Sequence, residues 1–318
     1  MTTRFHSKPH PHAALPAEGS ASLISNETLI EIYTAMLKCR MLSERIATLA
    51  GAGKKRAFAS ISEAVAAATL ADARLDDSLI SAAPHRCAAL LKGVPLAILL
   101  QPCSQRSSSA NLRSQAGHVH IASGVLSGPF AGTAFCNLAA AALAAGCAFA
   151  ARHSKCENVA IAFYESANAE DSWRDVFHFA FEHKLPVILI RQSARLLRPV
   201  IVRGRSAKRV PRSLPIIPVD ANDAVAIYRV AHEAITHARR GSGPTLIDCV
   251  PLRLAGERQQ DSDCIVRMER YLQAKGLRTD QIGAGVAQKF TRALDAAVNA
   301  ARRNARKNRK TRRSGMVS

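Results

Sequence analysis

Aromatic side chains are scarce in this chain of 318 residues: one Trp, four Tyr and ten Phe, 5% in all. With 48% hydrophobic residues the chain is still long enough for one large core, which Ala, Leu, Val and Ile must fill. Acidic residues are also few, 24 against 44 Lys and Arg, which leaves a formal net charge of +20. The eight cysteines form no CxxC pair and no Cys/His cluster at zinc-finger spacing, which excludes a structural zinc module. They read as buried free thiols of a reducing cytoplasm. Residues 1–25 lack an uninterrupted apolar run of the length a secretory signal needs, and their Pro, His, Ser and Ala content predicts a loose tail. The expected location is therefore cytoplasmic. No internal repeat is present.

An uncharged stretch runs from Pro129 to Ala151, 23 residues. That length could nominally span a bilayer, but the stretch is mostly Ala with few Leu or Ile and leads directly into a strand pattern. A buried helix packed closely against a sheet is the expectation, with no membrane partner. The positive charge is unevenly spread: eight of the twelve residues from Arg302 to Arg313 are Lys or Arg, as are eight between Arg191 and Arg212. Residues 301–318 read as a basic disordered tail, either a solubilising terminus or a contact for a polyanion such as nucleic acid.

The centre of the chain is the segment Val159 to Ser193. Val159 to Phe163 is an apolar run suited to a buried strand, Trp173 to Glu182 has helical spacing, and Pro186 to Ile190 is a β-branched run. This is the length and order of a βαβ crossover in a parallel sheet, where ligands favour the turns at the carboxyl ends of the strands. Those turns are expected at Tyr164-Glu165-Ser166 and Gln192-Ser193.

The wording of this unit resembles the alpha subunit of the thiamine-diphosphate-dependent decarboxylating component of 2-oxo acid dehydrogenase complexes. In that family the first strand ends in Gly-Asp-Gly and an Asn pair follows the second, the Asp and an Asn holding a Mg²⁺ that grips the diphosphate. Here Glu165 and Ser193 stand 28 positions apart in the matching frame. Gly-Asp-Gly reads Tyr164-Glu165-Ser166, and the Asn pair reads Ser193-Ala194. The resemblance implies Glu165 and Ser193 as metal ligands and Ser166, Ala167 and Gly117 as cofactor-binding positions.

The resemblance extends over about residues 28–300. Asn26 to Leu49 opens with an expected Asn cap and carries Tyr33, Met36 and Arg40 where the family's first helix has Tyr, Met and Arg. A helix from Glu63 to about Ala73, an Asp76-Asp77 turn and a short strand follow, and Glu63-Ala64 preserve half of a Gly-Gln-Glu-Ala motif. The family's Tyr-Arg-Asp-His, whose Arg and His lie at the active site, is similar to Ala83-Pro84-His85-Arg86, which implies His85 and Arg86 as catalytic candidates. Gln115 to Ser123 is similar to Gly-Gly-Ser-Met-His, with His120 on its His, a third catalytic candidate, and Gly117 on a glycine. His118 and His120 alternate as a metal pair could, with no carboxylate nearby. The family's Gly-Ile-Val-Gly reads Phe135-Cys136-Asn137-Leu138.

The best-preserved part lies between Leu214 and Gly256. Asp220 to Asp223 caps a helix over residues 224–240, Gly241 and Gly243 stop it, and Pro244 to Ile247 opens a strand, in near-verbatim agreement with the family's Val-Asp-Gly-Asn-Asp and Gly-Pro-Thr-Leu-Ile-Glu. The family's Gly-His-Ser is replaced around Gly256-Glu257-Arg258, and residues 265–300 are similar to its closing helices.

The resemblance implies an α/β fold: a three-layer thiamine-diphosphate-binding domain over residues 26–300, with a mostly parallel sheet flanked by helices. It implies oxidative decarboxylation of a 2-oxo acid with acyl transfer to the lipoyl arm of an acyltransferase, beside a beta-type subunit that supplies the acid activating the cofactor ring. Mg²⁺ demands near-octahedral oxygen ligands at about 2.0–2.1 Å, and the lost glycines would have let the backbone approach the diphosphate. Residues that serve only the cofactor have changed while residues that serve the fold remain. The expected activity is therefore impaired or lost. The alternative is a non-catalytic structural or regulatory subunit pairing with a beta-type chain or with itself.

Overall fold

The structure, a computed structural model, describes residues 24–49, 62–81, 86–100, 111–114, 117–121, 133–166, 172–193, 216–251 and 263–314. Nine helices and seven strands are present among them: α1 (Asn26–Leu49), α2 (Glu63–Leu70), β1 (Ser78–Ser81), α3 (Arg86–Leu91), α4 (Leu96–Leu99), β2 (Asn111–Ser114), β3 (Gly117–Ile121), α5 (Thr133–His153), β4 (Ala160–Ser166), α6 (Ser172–Glu182), β5 (Val187–Ser193), β6 (Ile216–Asp220), α7 (Ala224–Arg239), β7 (Thr245–Val250), α8 (Cys264–Ala274) and α9 (Thr279–Ser314). The strands form one sheet in the order β2-β3-β1-β4-β5-β7-β6. All neighbours are parallel except β2, which runs against β3 at one edge.

Parallel strands buried on both faces read as continuous apolar runs, and the two faces here divide cleanly by residue parity. Leu79, Ile161, Phe163, Ile188, Ile190, Ile247 and Cys249 join α1, α2, α7, α8 and α9 in one core layer. Ile80, Ala160, Ala162, Tyr164, Leu189 and Leu246 face α5 and α6 in the other. This is the expected three-layer α/β architecture.

The alanine-rich segment is α5. Ala140, Ala141, Ala144, Ala145 and Ala148 are buried against the sheet, the close approach that small side chains permit. Among the described residues no helix is long and apolar enough to cross a membrane.

Local chemistry explains several boundaries. The cap of α1 is Ser25 rather than the expected Asn26: its Oγ accepts the Thr28 N–H at 3.1 Å. Asp223 caps α7 as read from the sequence, accepting the Ala226 N–H at 2.9 Å. Gly241 ends that helix at φ 74°, where a residue with a Cβ is disfavoured. The Asp76-Asp77 turn is tied down by Asp77, 1% exposed, which accepts the Val159 N–H at 2.8 Å and the Arg74 N–H at 2.7 Å and pairs with Arg239. Beside it the nearly buried Lys92 ammonium donates to the Arg74 and Leu75 carbonyls, while burial lowers its pKa.

Two further expectations need correction. The segments 164–166 and 192–193 are not turns; β4 and β5 continue through Ser166 and Ser193, because Tyr164, Glu165 and Ser166 extend the ladder opposite Arg191, Gln192 and Ser193. Residues 301–314, read as a disordered tail, prolong the closing helix, whose apolar part is anchored by Phe290, Leu294 and Val298.

Candidate functional site

Two adjacent strands bring the implied metal ligands to one end of the sheet. Ser166 of β4 and Ser193 of β5 are register partners, and Glu165 stands opposite Gln192, one step back. The pairing of neighbouring parallel strands thus places Glu165, Ser166 and Ser193 at the carboxyl ends of β4 and β5. Ala167 and His85 lie outside the described residues. Arg86 opens α3, half-buried, five residues after the end of β1 at Ser81.

The other candidates are placed by register. His120 of β3 pairs with Ile80, which pairs with Ala162, three residues before Glu165. At about 3.3 Å per residue that is about 10 Å along the strands. Gly117 begins β3, three residues earlier still, and lies toward the opposite, amino end of the sheet. The topology therefore separates Gly117 from Ser166 and Ser193 by the full length of a strand. The glycine of a motif that looked contiguous in sequence does not belong to this edge, because β3 is extended and carries its two ends apart.

The row just below Glu165 holds what sequence reasoning missed. Tyr164 of β4, Arg191 of β5 and Asp248 of β7 are cross-strand neighbours in one line. The Arg191 guanidinium donates through Nε to Asp248 Oδ1 at 2.7 Å and through Nη2 to Oδ2, a two-pronged ion pair with side chains only 18% and 12% exposed. Tyr164 is 3% exposed, its ring among Ile80, Ala162, Phe177 and Leu189. Burial pushes the phenol far above its ordinary range despite the opposing pull of Arg191. A charged residue in each of two otherwise apolar strands was the signal available in the sequence.

On the opposite face of the sheet, the Gln192 side-chain oxygen accepts the Ser62 N–H at 2.8 Å, and the Ser62 hydroxyl donates to the Ala221 carbonyl at 3.1 Å. These bonds tie the start of α2 to the ends of β5 and β6. Behind them Arg40 of α1 donates to Glu63 at 2.7 Å and to Asp263 at 3.1 Å, joining α1, α2 and α8. Burial alone would raise the Asp263 carboxyl, but its bonds from Arg40 and the Ile265 N–H outweigh that and hold it below the usual carboxylate range. Burial also pushes the neighbouring Cys264 thiol up to about 12, with Glu63 adding to the effect. Cys249, fully buried in the same layer, is raised by the same cause.

The donor set does not fit the diphosphate and Mg²⁺ cradle implied by the sequence resemblance. Asp248 is committed to Arg191, and Gln192 to Ser62. The residues at the metal positions that the resemblance implies are Glu165, one methylene longer than Asp, and Ser193, whose hydroxyl is a poorer Mg²⁺ ligand than an amide carbonyl. Tyr164, which the resemblance sets at the first cradle glycine, is a buried phenol ring.

Comparison with known proteins adds an independent line. The family model described as "Dehydrogenase E1 component" matches residues 33–273, more than half of the chain. The alpha subunit of acetoin:2,6-dichlorophenolindophenol oxidoreductase from Bacillus subtilis (strain 168) is 24% identical over 258 residues, covering 75% of this chain and 74% of the relative. Subunit alpha-3 of the chloroplastic pyruvate dehydrogenase E1 component from Arabidopsis thaliana is 26% identical over 261 residues, 76% of this chain and 59% of the relative. A solved structure from Mycobacterium smegmatis, described as "a putative thiamin diphosphate-dependent enzyme", is similar at a TM-score of 0.36 and 16% identity, covering 59% of this chain and 31% of that one.

Proposed function

This chain belongs to the dehydrogenase E1 component family, and we propose that it serves there as an alpha-type subunit paired with a beta-type chain, its own grip on thiamine diphosphate impaired or lost. Thiamine diphosphate is the cofactor of this family. The family reaction implied by the sequence is oxidative decarboxylation of a 2-oxo acid, with the acyl group passed to a lipoyl-bearing acyltransferase. The proposed setting is the cytoplasm, in keeping with the six free cysteines among the described residues.

The observation that carries the reading is the row Tyr164, Arg191, Asp248. Where the family's first strand opens a glycine cradle, this chain has a ring that is 3% exposed in the apolar layer, and the next two strands neutralise each other's charge beside it. The fold-bearing contacts are meanwhile intact: the Asp223 cap, the Gly241 stop and the Arg40 bonds to Glu63 and Asp263. A chain that keeps its scaffold and alters its cradle is suited to assembly more than to cofactor binding.

The outer face of α5 favours a partner. Ala142, Gly146 and Ala150 are exposed there beside Phe149, 51% exposed, and a Cβ on Gly146 would meet nothing within 4 Å. A shallow helix face of this kind, bordered at Phe149 by Arg152, Glu182 and Lys184, suits a second chain, beta-type or a second copy, in a structural or regulatory role.

Titration calorimetry of the purified chain, alone and with its co-purifying partner, against thiamine diphosphate plus Mg²⁺ tests the proposal. No binding up to millimolar cofactor by the folded complex is the expected result. Saturable micromolar binding would overturn the loss of the grip, leave the subunit assignment standing, and direct assays to 2-oxo acids and, from the name of the Bacillus relative, to acetoin.

A further inference from the structure

The closing helix changes character along its length. Its first half is built into the body: Phe290, Leu294 and Val298, spaced four apart, are 8%, 2% and 8% exposed, and Arg45 of α1 donates to Asp295 at 2.6 Å. Val298 is the last of the described buried residues of α9, yet the helix runs sixteen residues further, to Ser314. At 1.5 Å per residue that is about 24 Å of helix.

This second half carries eight Lys or Arg among the twelve residues 302–313 and no acidic residue. A helical repeat of about 100° per residue aligns positions 302, 306, 309 and 313 in one row and 303, 307 and 310 in the next. Seven of the eight Lys and Arg positions thus share one half of the helical repeat, and positions 301, 304, 305 and 308 belong to the other. Like charges three and four residues apart destabilise a helix, and the favourable helix dipole reaches only its last turn. A row of this kind is relieved by an extended anion laid along it.

We infer that the charged end of α9 is a docking surface for the phosphate backbone of duplex nucleic acid. The charge density matches: about 18 Å of basic helix lies against a duplex that carries one phosphate per about 1.7 Å of its axis. The B-form major groove, about 12 Å wide, admits a single α-helix. A lipid surface fits less well, because residues 299–314 contain no Leu, Ile, Val, Met, Phe, Tyr or Trp, and a helix held at a bilayer needs an apolar face to bury. The two asparagine positions, 304 and 308, fall on the other half of the helix, and binding through Lys and Arg to phosphates carries no sequence information, so affinity is expected to vary little with sequence. The inference does not rest on the cofactor site or on the proposed subunit role.

The test is fluorescence anisotropy of the full chain with a labelled mixed-sequence DNA duplex and with the matching RNA duplex, across a salt series. A variant carrying R302Q, R303Q, R306Q, K307Q, R309Q, K310Q, R312Q and R313Q serves as comparison, Gln being nearly as good a helix former. Wild type is expected to bind DNA with a log–log salt slope of about −4 to −6, the signature of about five or six phosphates neutralised, and the variant to lose about 100-fold in affinity with most of that slope. Circular dichroism checks that the variant stays folded. Equal binding of RNA also supports a backbone contact, and weaker binding of RNA supports the major-groove geometry. Variant affinity within about threefold of wild type, no binding of either duplex at about 50 mM salt, or tighter binding to phosphatidylserine vesicles than to DNA would each overturn the inference. Truncation after Ala301 gives the same comparison should the eight-site variant fail to fold.

Discussion

Arg191 and Asp248 face each other across two parallel strands, held by a two-pronged hydrogen bond with both side chains largely buried. They stand on β5 and β7, in the row just below Glu165 and Gln192.

Removing one member should leave the other buried and charged. Arg191→Met is expected to cost about 3–5 kcal/mol, whereas the double variant Arg191→Met, Asp248→Leu should recover most of the loss, since apolar replacement of a whole buried pair is often near neutral. Urea denaturation of the three proteins reads both numbers. A single variant within about 1 kcal/mol of wild type would mean that water screens the pair.

Tyr164 fills the layer between β4 and α6, so its truncation should leave a cavity. Tyr164→Ala is expected to destabilise by about 3–5 kcal/mol, comparable with loss of a buried aromatic ring elsewhere. The same denaturation assay decides it. A cost below about 1 kcal/mol would place the ring on a surface able to collapse.

Asp263 should give stability a definite pH dependence. Its folded carboxyl lies below the ordinary range, so its contribution is complete above the unfolded value of about 3.9 and disappears as pH falls through the lower folded value. Asp263→Asn keeps a side chain able to cap α8 while removing the charge facing Arg40. Urea midpoints measured from pH 3 to pH 7 should show the variant about 1 kcal/mol less stable at neutral pH and the two proteins converging toward pH 3. Parallel curves across the whole range would refute the assignment.

Thiol accessibility offers a test of packing. Cys156 is exposed, whereas Cys39, Cys87, Cys249 and Cys264 are buried, and burial keeps Cys249 and Cys264 protonated. Iodoacetamide at pH 8 followed by peptide mass spectrometry should modify Cys156 within minutes and the four buried thiols only after denaturation. Rapid labelling of Cys249 in the native protein would contradict its place beneath the sheet.

Sequence by itself determined the alternation of strand and helix, because apolar runs and helical spacing are local properties that each segment carries without its neighbours. Val187 to Ile190, the Asp223 cap and the Gly241 stop are where pattern and turn chemistry put them. The family was legible too, since wording such as Gly243 to Asp248 survives for the sake of the fold. Only the tertiary structure decided the length of β4 and β5, because a polar strand end is stabilised by a paired strand and not by its own residues. The same holds for the candidate site. Arg191 meets Asp248, and Gln192 meets Ser62, across 57 and 130 positions of chain, a proximity set by strand order. Gly117 is carried away from Ser166 because a strand is rigid and extended. The basic terminus depended on both: composition gave its charge, but only a helix already anchored through Leu294 and Val298 turns that charge into a directed row.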